Sequence, residues 1–375
     1  MTASRDLGLY IHIPFCRQRC HFCAFYLEIA RTERMDSFRS ALAHEMDLYR
    51  RQNPLRSRPL HSIYFGGGTP TAMPPGHLLA LLDLVRATWL ISPGAEITVE
   101  AHPSTVTAEA LKALADAGFT RISFGVESMN DKDFALIGRP GRVQDAETAV
   151  EAARAAGFTN INLDVMYGLP EQSLNDWIRT LRSLLALAPS HVSCYALTVE
   201  EGSRLSQDIA RRLVSKPDEE LQVDMESVAE AMLSAAGFVR YEISNYARPG
   251  ATCRHNLLYW TDQNYLGLGP SAQSYVDGVR FGNIADLTGY VDRLKESRLP
   301  ITEHTVLSAP DREADALVFG LRLLRGVPLN AIQSPERRQK VQELVGKGLL
   351  ESDTTRVRLT ALGRRYADSV AGELF

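Results

Sequence analysis

The sequence lacks the features that mark several classes of protein. Its 375 residues include only five cysteines, which excludes a small domain held together by disulfides. The formal net charge of −4 provides no basic field to attract nucleic acid. No uninterrupted apolar run approaches the roughly 18 residues that a membrane span needs. The best candidate, residues 78–90, is interrupted by Asp83 and Arg86, so we expect no integral membrane segment.

The first 15 residues also lack the basic start and apolar core of an export signal. We therefore expect a cytoplasmic protein. In that reducing compartment, cysteines serve as ligands more often than as disulfides.

Short apolar runs alternate with longer amphipathic segments over the first two-thirds of the chain. Such runs are typical of buried strands in a parallel sheet, and they cover residues 7–13, 62–65, 97–100, 121–124, 161–166 and 191–197. Apolar positions at helical spacing fill the segments between them, at 35–51, 76–88, 107–117, 143–156 and 173–188. Six strand–helix units in succession predict the α/β class, as a partial (β/α)6 barrel of the TIM type.

The pattern changes after about residue 235. A further strand and loop are expected at 237–246, and residues 247–283 have a loop-like composition rich in Gly, Pro, Asn and aromatics. The tail from Asp311 predicts two helices, a short hairpin and a last helix, as in a winged-helix-like module. The expected domains are a core barrel at 1–235, a connecting segment at 236–305 and a small, mainly helical domain at 306–375.

Three of the five cysteines, Cys16, Cys20 and Cys23, fall within eight residues. Thiolates gathered in one short loop suit an iron–sulfur cluster. Zinc held by these cysteines with His21 or His12 is an alternative, although structural zinc usually uses paired C-x2-C motifs. The spacing also fits one face of a helix, but Pro14 and the strand before it disfavour a helix there.

The spacing Cys16-x3-Cys20-x2-Cys23, with Phe22 before the third cysteine, resembles the radical S-adenosylmethionine (SAM) superfamily. The preceding segment Tyr10-Ile-His-Ile-Pro-Phe is similar to the oxygen-independent coproporphyrinogen-oxidase family, which includes the HemW-type heme chaperones. This resemblance implies a [4Fe–4S] cluster on the three thiolates, with SAM bound to the remaining iron. An electron from such a cluster cleaves SAM to methionine and a 5′-deoxyadenosyl radical.

The resemblance also assigns SAM contacts. The segment Gly66-Gly67-Gly68-Thr69-Pro70 is similar to the family's GGTP segment, where absent side chains let a ligand approach. Further polar residues stand at or just after the ends of predicted strands, where barrel active sites lie. The full set of expected cofactor contacts in the barrel is Tyr10, Phe22, Gly67, Gly68, Thr69, Glu100, Glu127, Arg139 and Asp164. The family more often has Gln at position 127 and His at position 141, which is Gly here.

The downstream segment Cys253-Arg-His255-Asn-Leu-Leu-Tyr259-Trp260 resembles the HNxxYW motif of the heme-chaperone branch. His is a common ligand of heme iron, so His255 is a candidate heme ligand, with Cys253 as a competitor. The decarboxylating members of the family carry a further cysteine two residues after the third ligand, and that position is Phe25 here.

These features predict a heme chaperone that passes heme to an unknown acceptor protein, with an external reductant for the cluster and no nucleic-acid partner. Two other functions stay open: the oxidative decarboxylation of coproporphyrinogen III, and a related radical SAM methyl transfer.

Overall fold

The computed structural model describes residues 7–52 and 54–375. Its strands are β1 (Leu7–Ile13), β2 (Phe15–Cys16), β3 (Glu28–Ile29), β4 (Leu60–Gly67), β5 (Ile91–Ala101), β6 (Arg121–Glu127), β7 (Asn160–Tyr167), β8 (His191–Ala196), β9 (Val239–Arg240), β10 (Asn245–Ala247), β11 (Asn264–Leu268), β12 (Gln273–Val276), β13 (Val279–Asn283), β14 (Ile301–Val306), β15 (Val327–Pro328), β16 (Leu350–Ser352) and β17 (Arg356–Leu359).

The helices are α1 (Thr32–Gln52), α2 (Pro75–Thr88), α3 (Ala108–Asp116), α4 (Asp131–Leu136), α5 (Val143–Ala156), α6 (Leu174–Ala186), α7 (Arg204–Ala210), α8 (Glu219–Ala235), α9 (Arg254–Trp260), α10 (Leu287–Lys295), α11 (Ala309–Gly320), α12 (Pro335–Gly346), α13 (Ala361–Arg365) and α14 (Ala367–Leu374).

One twelve-stranded sheet organises the chain, in the order β14-β13-β12-β11-β1-β4-β5-β6-β7-β8-β10-β9. The strands from β1 to β8 in this order are parallel and follow the sequence, as βαβ units require. Strand β11 extends the parallel part on the other side of β1, and the outer strands on both sides are antiparallel. The predicted α/β partial barrel is confirmed.

Each strand of the barrel separates an apolar face from a polar face. In β1, Leu7, Leu9 and Ile11 are fully buried in the main hydrophobic core, whereas Tyr10 and His12 point to the other side. Because side chains alternate along a strand, the aliphatic residues lie under the helices and the polar residues line the barrel interior. This interior is a hydrogen-bonded network. The His191 ring, for example, bonds Asn162 at 2.6 Å and the Tyr241 hydroxyl at 2.9 Å.

The predicted helices all form, and local signals explain their ends. The Thr107 hydroxyl caps α3 by accepting from the Ala110 amide at 3.2 Å. Ser173 and Asp176 form a reciprocal capping box at the start of α6. Gly157 ends α5 with a φ of 106°, a left-handed conformation that favours glycine.

The expectation of a loop over residues 247–283 is wrong. This segment contains α9, β11, β12 and β13. Its strands are short and interrupted by glycines, which hides the periodicity of the sequence. Strand β11 pairs with β1, whose residues lie far away in the chain. A long-range contact therefore determines β11.

The C-terminal part has a hydrophobic core of its own, formed by residues such as Leu317, Val341 and Val357. Helices α11 and α12 pack with a three-stranded sheet of order β15-β17-β16, close to the expected winged-helix-like module. A backbone bridge from Glu242 to Leu323 joins this module to the barrel.

None of the helices in the described ranges combines the length and apolar character that crossing a bilayer requires.

Candidate functional site

The cysteine loop follows β1 and lies against the turn that follows β4. The Gly68 amide donates to the Ile13 carbonyl at 2.8 Å, and the Thr69 amide donates to the Phe15 carbonyl at 2.7 Å. The Thr69 hydroxyl lies 3.4 Å from the sulfur of Cys16. The five cysteines are all free thiols. The turn therefore holds the beginning of the loop in place, directly beside its first cysteine.

Arg139 connects the second cysteine to the barrel. Its Nη1 lies 3.9 Å from the Cys20 sulfur and 3.8 Å from Oε1 of Glu127, and its Nη2 donates to the Gly125 carbonyl. Burial raises the pKa of the Cys20 thiol to about 11, and the neighbouring guanidinium opposes that rise. The structure thus brings Cys20, Glu127 and Arg139 together.

Glu127 closes β6 in an unusual conformation. Its φ is 67°, which a residue with a Cβ rarely adopts. Burial raises the pKa of its carboxyl group to about 7, with Arg139 acting in the opposite direction. The Tyr195 hydroxyl, 3.4 Å from Oε2, is a further partner.

Two glycines at the end of β4 are required by contacts within the protein itself. A Cβ on Gly67, whose φ is 112°, would lie 2.8 Å from the His12 ring, and one on Gly68 would lie 2.8 Å from the Phe15 carbonyl. The sequence interpretation explained these glycines by the approach of a ligand. The structure adds that the chain's own atoms already occupy the Cβ positions.

Glu100 is held from two sides. Its Oε1 accepts from the Tyr64 hydroxyl at 2.8 Å, and its Oε2 accepts from the Gly67 amide at 3.1 Å. Burial raises the pKa of this carboxyl group to about 7. Glu100 therefore supports the glycine turn as well as facing the barrel interior.

Asp164 and Tyr10 also face the interior. The Asp164 carboxylate accepts from Asn162 at 2.8 Å and from the Ser123 hydroxyl at 3.2 Å. The Tyr10 hydroxyl lies 3.1 Å from Nδ1 of His12. Both residues therefore belong to the polar network on the inner face of the sheet.

Phe22 and Phe25 occupy contrasting positions in the cysteine loop. Phe22 packs on a small apolar cluster that includes Ile137, Leu169 and Leu205, and so fixes the loop to the barrel. Phe25 is 73% exposed. Its backbone carbonyl accepts from Arg19, which also bonds the Cys23 carbonyl.

His255 lies inside the barrel, and its location differs from that expected of a heme ligand. The ring is 1% exposed, with Nδ1 2.8 Å from the Ser62 hydroxyl and Nε2 3.0 Å from the Tyr259 hydroxyl. Because both nitrogens already have partners, neither is available to iron in this arrangement. Burial lowers the pKa of the imidazole to about 3, so the ring is neutral.

Cys253 is equally enclosed. Its thiol is fully buried and donates to Oε1 of Glu96 at 3.5 Å. Glu96 also accepts from the backbone amides of Arg254 and His255, both at 3.1 Å. The motif segment is thus bound to Glu96, in the middle of β5.

Several interior residues were not identified from the sequence. Nε and Nη1 of Arg121, for example, are buried without a hydrogen-bond partner in the described part of the chain. Alternation was the available signal, because Tyr10 and His12 interrupt β1 at every second position. The same reasoning would have identified Tyr64 in β4 and Tyr195 in β8.

The donor set fits the implied cofactors. Three free thiols on one loop could hold three corners of a [4Fe–4S] cluster, which takes its thiolates at separate iron atoms. Within residues 7–52 and 54–375, no three His, Cys, Asp or Glu side chains converge on the position of a single metal ion. The carboxylates beside the loop, Glu100 and Glu127, are polar groups that suit SAM. When bound, such a cluster would supply an electron for reductive cleavage of the SAM sulfonium.

Comparison with known proteins agrees with this geometry. The model of the Radical SAM superfamily matches residues 10–184, and the model of the HemN C-terminal domain matches residues 307–366. The solved structure of coproporphyrinogen III oxidase (HemN) from Escherichia coli superposes with a TM-score of 0.86 at 24% identity, covering 99% of this chain and 90% of that one. The fold and the cysteine loop define a radical SAM protein.

Two curated relatives narrow this class. The heme chaperone HemW of Mycobacterium tuberculosis is 35% identical, over 99% of this chain and 95% of its own length. HemW of Bacillus subtilis is 32% identical, over 97% of each chain. The chain belongs to the HemW family.

Proposed function

We propose that this protein binds heme and transfers it to an acceptor protein, while its barrel holds a [4Fe–4S] cluster and SAM. The observation that carries the proposal is the similarity to HemW heme chaperones over nearly the whole chain, including the C-terminal module. The exposed Phe25, at the position where decarboxylating relatives are expected to carry a cysteine, adds support.

Within the barrel, we assign cluster binding to Cys16, Cys20 and Cys23. Arg139 bonds the Gly125 carbonyl and lies beside both the Cys20 thiol and the Glu127 carboxylate, so it holds the loop in register with the barrel. Phe22 excludes water from one side of the loop. Glu100 and Asp164 then present acceptors for the hydroxyl and amino groups of SAM.

The proposal gives the HNxxYW segment a structural role. His255 and Tyr259 join α9 to Ser62 at the start of β4, and Glu96 binds the beginning of the same helix. Heme would then bind through other groups, and His255 would act as a positioning residue.

The partners in this proposal are heme, an acceptor protein and a reductant for the cluster. The formal net charge of −4 gives no reason to add nucleic acid. We place the protein in the cytoplasm, where reducing conditions keep the cysteines available to iron.

A heme titration of the anaerobically reconstituted full chain tests the function. We expect a saturable Soret band at one heme per chain, and loss of that band when apomyoglobin is added as a heme scavenger. Binding that never saturates, or heme that the scavenger cannot remove, would contradict the proposal.

A separate assay tests the alternative function, the oxidative decarboxylation of coproporphyrinogen III. The same protein is incubated with coproporphyrinogen III, SAM and a chemical reductant, and vinyl products are measured. We expect none. Formation of vinyl product in proportion to SAM cleavage would show that the protein decarboxylates coproporphyrinogen III.

A further inference from the structure

A cavity of about 180 Å³ lies between the barrel and the C-terminal module, away from the cysteine loop. Helix α9 and strands β11 to β13 form one side of it, and α11 forms the other. Five of the residues that line it are aromatic: Tyr259, Trp260, Tyr265, Tyr275 and Phe319. No step of the proposed function uses this space.

A buried carboxylate faces the cavity. Asp315 is only 4% exposed, and its Oδ2 lies 2.8 Å from Nη2 of Arg280. Both oxygens are buried without a hydrogen bond among the described residues, and Oδ1 also lacks the ion-pair contact that Oδ2 makes with Arg280. A buried carboxylate normally has partners for both oxygens, because removing it from water is unfavourable. Oδ1 of Asp315 is therefore available to accept a hydrogen bond from a ligand in the cavity.

The surrounding aromatic rings already bind guanidinium groups. The Arg280 guanidinium carbon lies 5.2 Å from the centre of the Phe319 ring, and that of Arg322 lies 4.6 Å from the centre of the Trp260 ring. These distances fall within the range of cation–π attraction. The walls of the cavity thus combine planar aromatic faces with an acceptor, which is the combination that recognises a flat cation.

The size of the cavity limits the ligand. Sites for drug-sized ligands measure roughly 300–1,000 Å³, so a cavity of about 180 Å³ suits a group the size of one side chain. A porphyrin is too large to be enclosed here. This cavity is therefore distinct from the heme-binding function proposed above and does not depend on it.

We propose that this cavity binds a guanidinium group, which donates to Oδ1 of Asp315 and stacks on the aromatic walls. The group belongs either to a free small molecule or to an arginine side chain of a partner protein. A bound guanidinium group would also affect the barrel, because Tyr259 lines the cavity and its hydroxyl bonds His255.

Tryptophan fluorescence provides a direct assay. Of the three tryptophans, Trp89 and Trp177 are buried in the main core, whereas Trp260 lines the cavity. The full chain is titrated with ethylguanidinium chloride at constant ionic strength, beside ethylurea, a neutral molecule of nearly the same shape. We expect a saturable change with ethylguanidinium alone. An equal response to ethylurea would overturn the proposal.

Two substitutions with opposite expected effects sharpen the test. Asp315→Asn removes the charged acceptor and should weaken binding by about tenfold or more, as for the loss of a charge-assisted hydrogen bond. Arg280→Met removes the internal cation that competes for Asp315 and should strengthen binding. Asp83→Asn, on the exposed surface of α2, is the matched control and should change nothing.

Circular dichroism establishes that each variant is folded. Unchanged affinity of Asp315→Asn for ethylguanidinium overturns the proposal. Unchanged or weaker affinity of Arg280→Met also overturns it. If Asp315→Asn fails to fold, the Arg280→Met result alone tests the proposal. A capped Gly-Arg-Gly peptide that binds more tightly than ethylguanidinium assigns the site to a partner's arginine. The reverse order assigns it to a free small molecule.

Discussion

The hydroxyl of Tyr259 lies 3.0 Å from Nε2 of His255, and this bond joins two residues of one sequence motif on neighbouring turns of α9. His255 faces the barrel interior, where its ring centre is 5.1 Å from that of Tyr64. Tyr259 faces the cavity beside the C-terminal module. The motif therefore connects the barrel to that module, which explains its residue types without a bound ligand.

Replacement of His255 by alanine should lower stability and leave heme binding intact. The hydroxyls of Ser62 and Tyr259 would both lose a buried partner, which costs about 1–3 kcal/mol each at most. Urea unfolding and a heme titration measure the two effects on the same protein. His304→Ala, at an exposed position of β14, is the control. Loss of the Soret band in a folded His255→Ala protein would instead make His255 a heme ligand.

Replacement of Cys20 by alanine should abolish the cluster. A [4Fe–4S] cluster with only two protein thiolates lacks the third corner that holds it. Iron and acid-labile sulfide per chain, with the EPR spectrum of the reduced protein, report this after anaerobic reconstitution. Cys194→Ala removes a thiol buried in β8 and should keep the full iron content. If Cys20→Ala retains a full cluster, the assignment of the loop is incorrect.

Gly67→Ala should destabilise the turn beside the cysteine loop. The residue has a φ of 112°, and a Cβ would contact the His12 ring at 2.8 Å, so we expect a loss of about 1–3 kcal/mol. The matched change Gly76→Ala lies in α2, where no atom beyond the chain neighbours and the helix's own backbone comes within 4 Å of the new Cβ. It should be neutral or stabilise by up to about 1 kcal/mol. Equal effects of the two substitutions in thermal unfolding would refute this account.

Stability should depend on pH through Glu45. Three donors hold this fully buried carboxyl group: the Gly269 amide at 2.9 Å, the Asn283 side chain at 2.7 Å and the Tyr290 hydroxyl at 2.6 Å. Burial raises the pKa of Glu45 from 4.5 to about 7, and these donors oppose the rise. The folded chain thus keeps an extra proton between those two pH values, so its stability falls as the pH rises through about 7.

A comparison with Glu45→Gln isolates this effect, since the amide does not titrate. The free energy of unfolding of the wild-type protein, relative to that of the variant, should decrease by up to about 3 kcal/mol between pH 4.5 and pH 8. Urea unfolding at several pH values measures it. A difference that stays constant with pH would show that Glu45 does not titrate in this range.

Local sequence was sufficient to predict much of the barrel. Strand β1 is a short apolar run, and Gly157 follows α5 where a left-handed residue ends the helix. The cysteine spacing was also local, because Cys16, Cys20 and Cys23 share one loop. These features depend on neighbours a few residues apart, so they can be read without knowing the fold.

The sequence did not reveal the surroundings of His255, nor the elements between residues 247 and 283. The surroundings of His255 depend on contacts with Ser62 and Glu96, and β11 depends on pairing with β1. These partners are about 160 to 260 residues away in the chain. A histidine in a motif has the same spacing whether it binds iron or two hydroxyl groups.

The amino-acid sequence by itself determined the class of fold, the positions of the six barrel strands and the three candidate cluster ligands, because periodicity and short spacing encode them. Only the tertiary structure decided that His255 is enclosed, that Arg139 links Cys20 to Glu127, and that Asp315 has an open oxygen in an aromatic cavity. The physical reason is that burial and hydrogen-bond partners result from packing between distant segments, which no local pattern specifies.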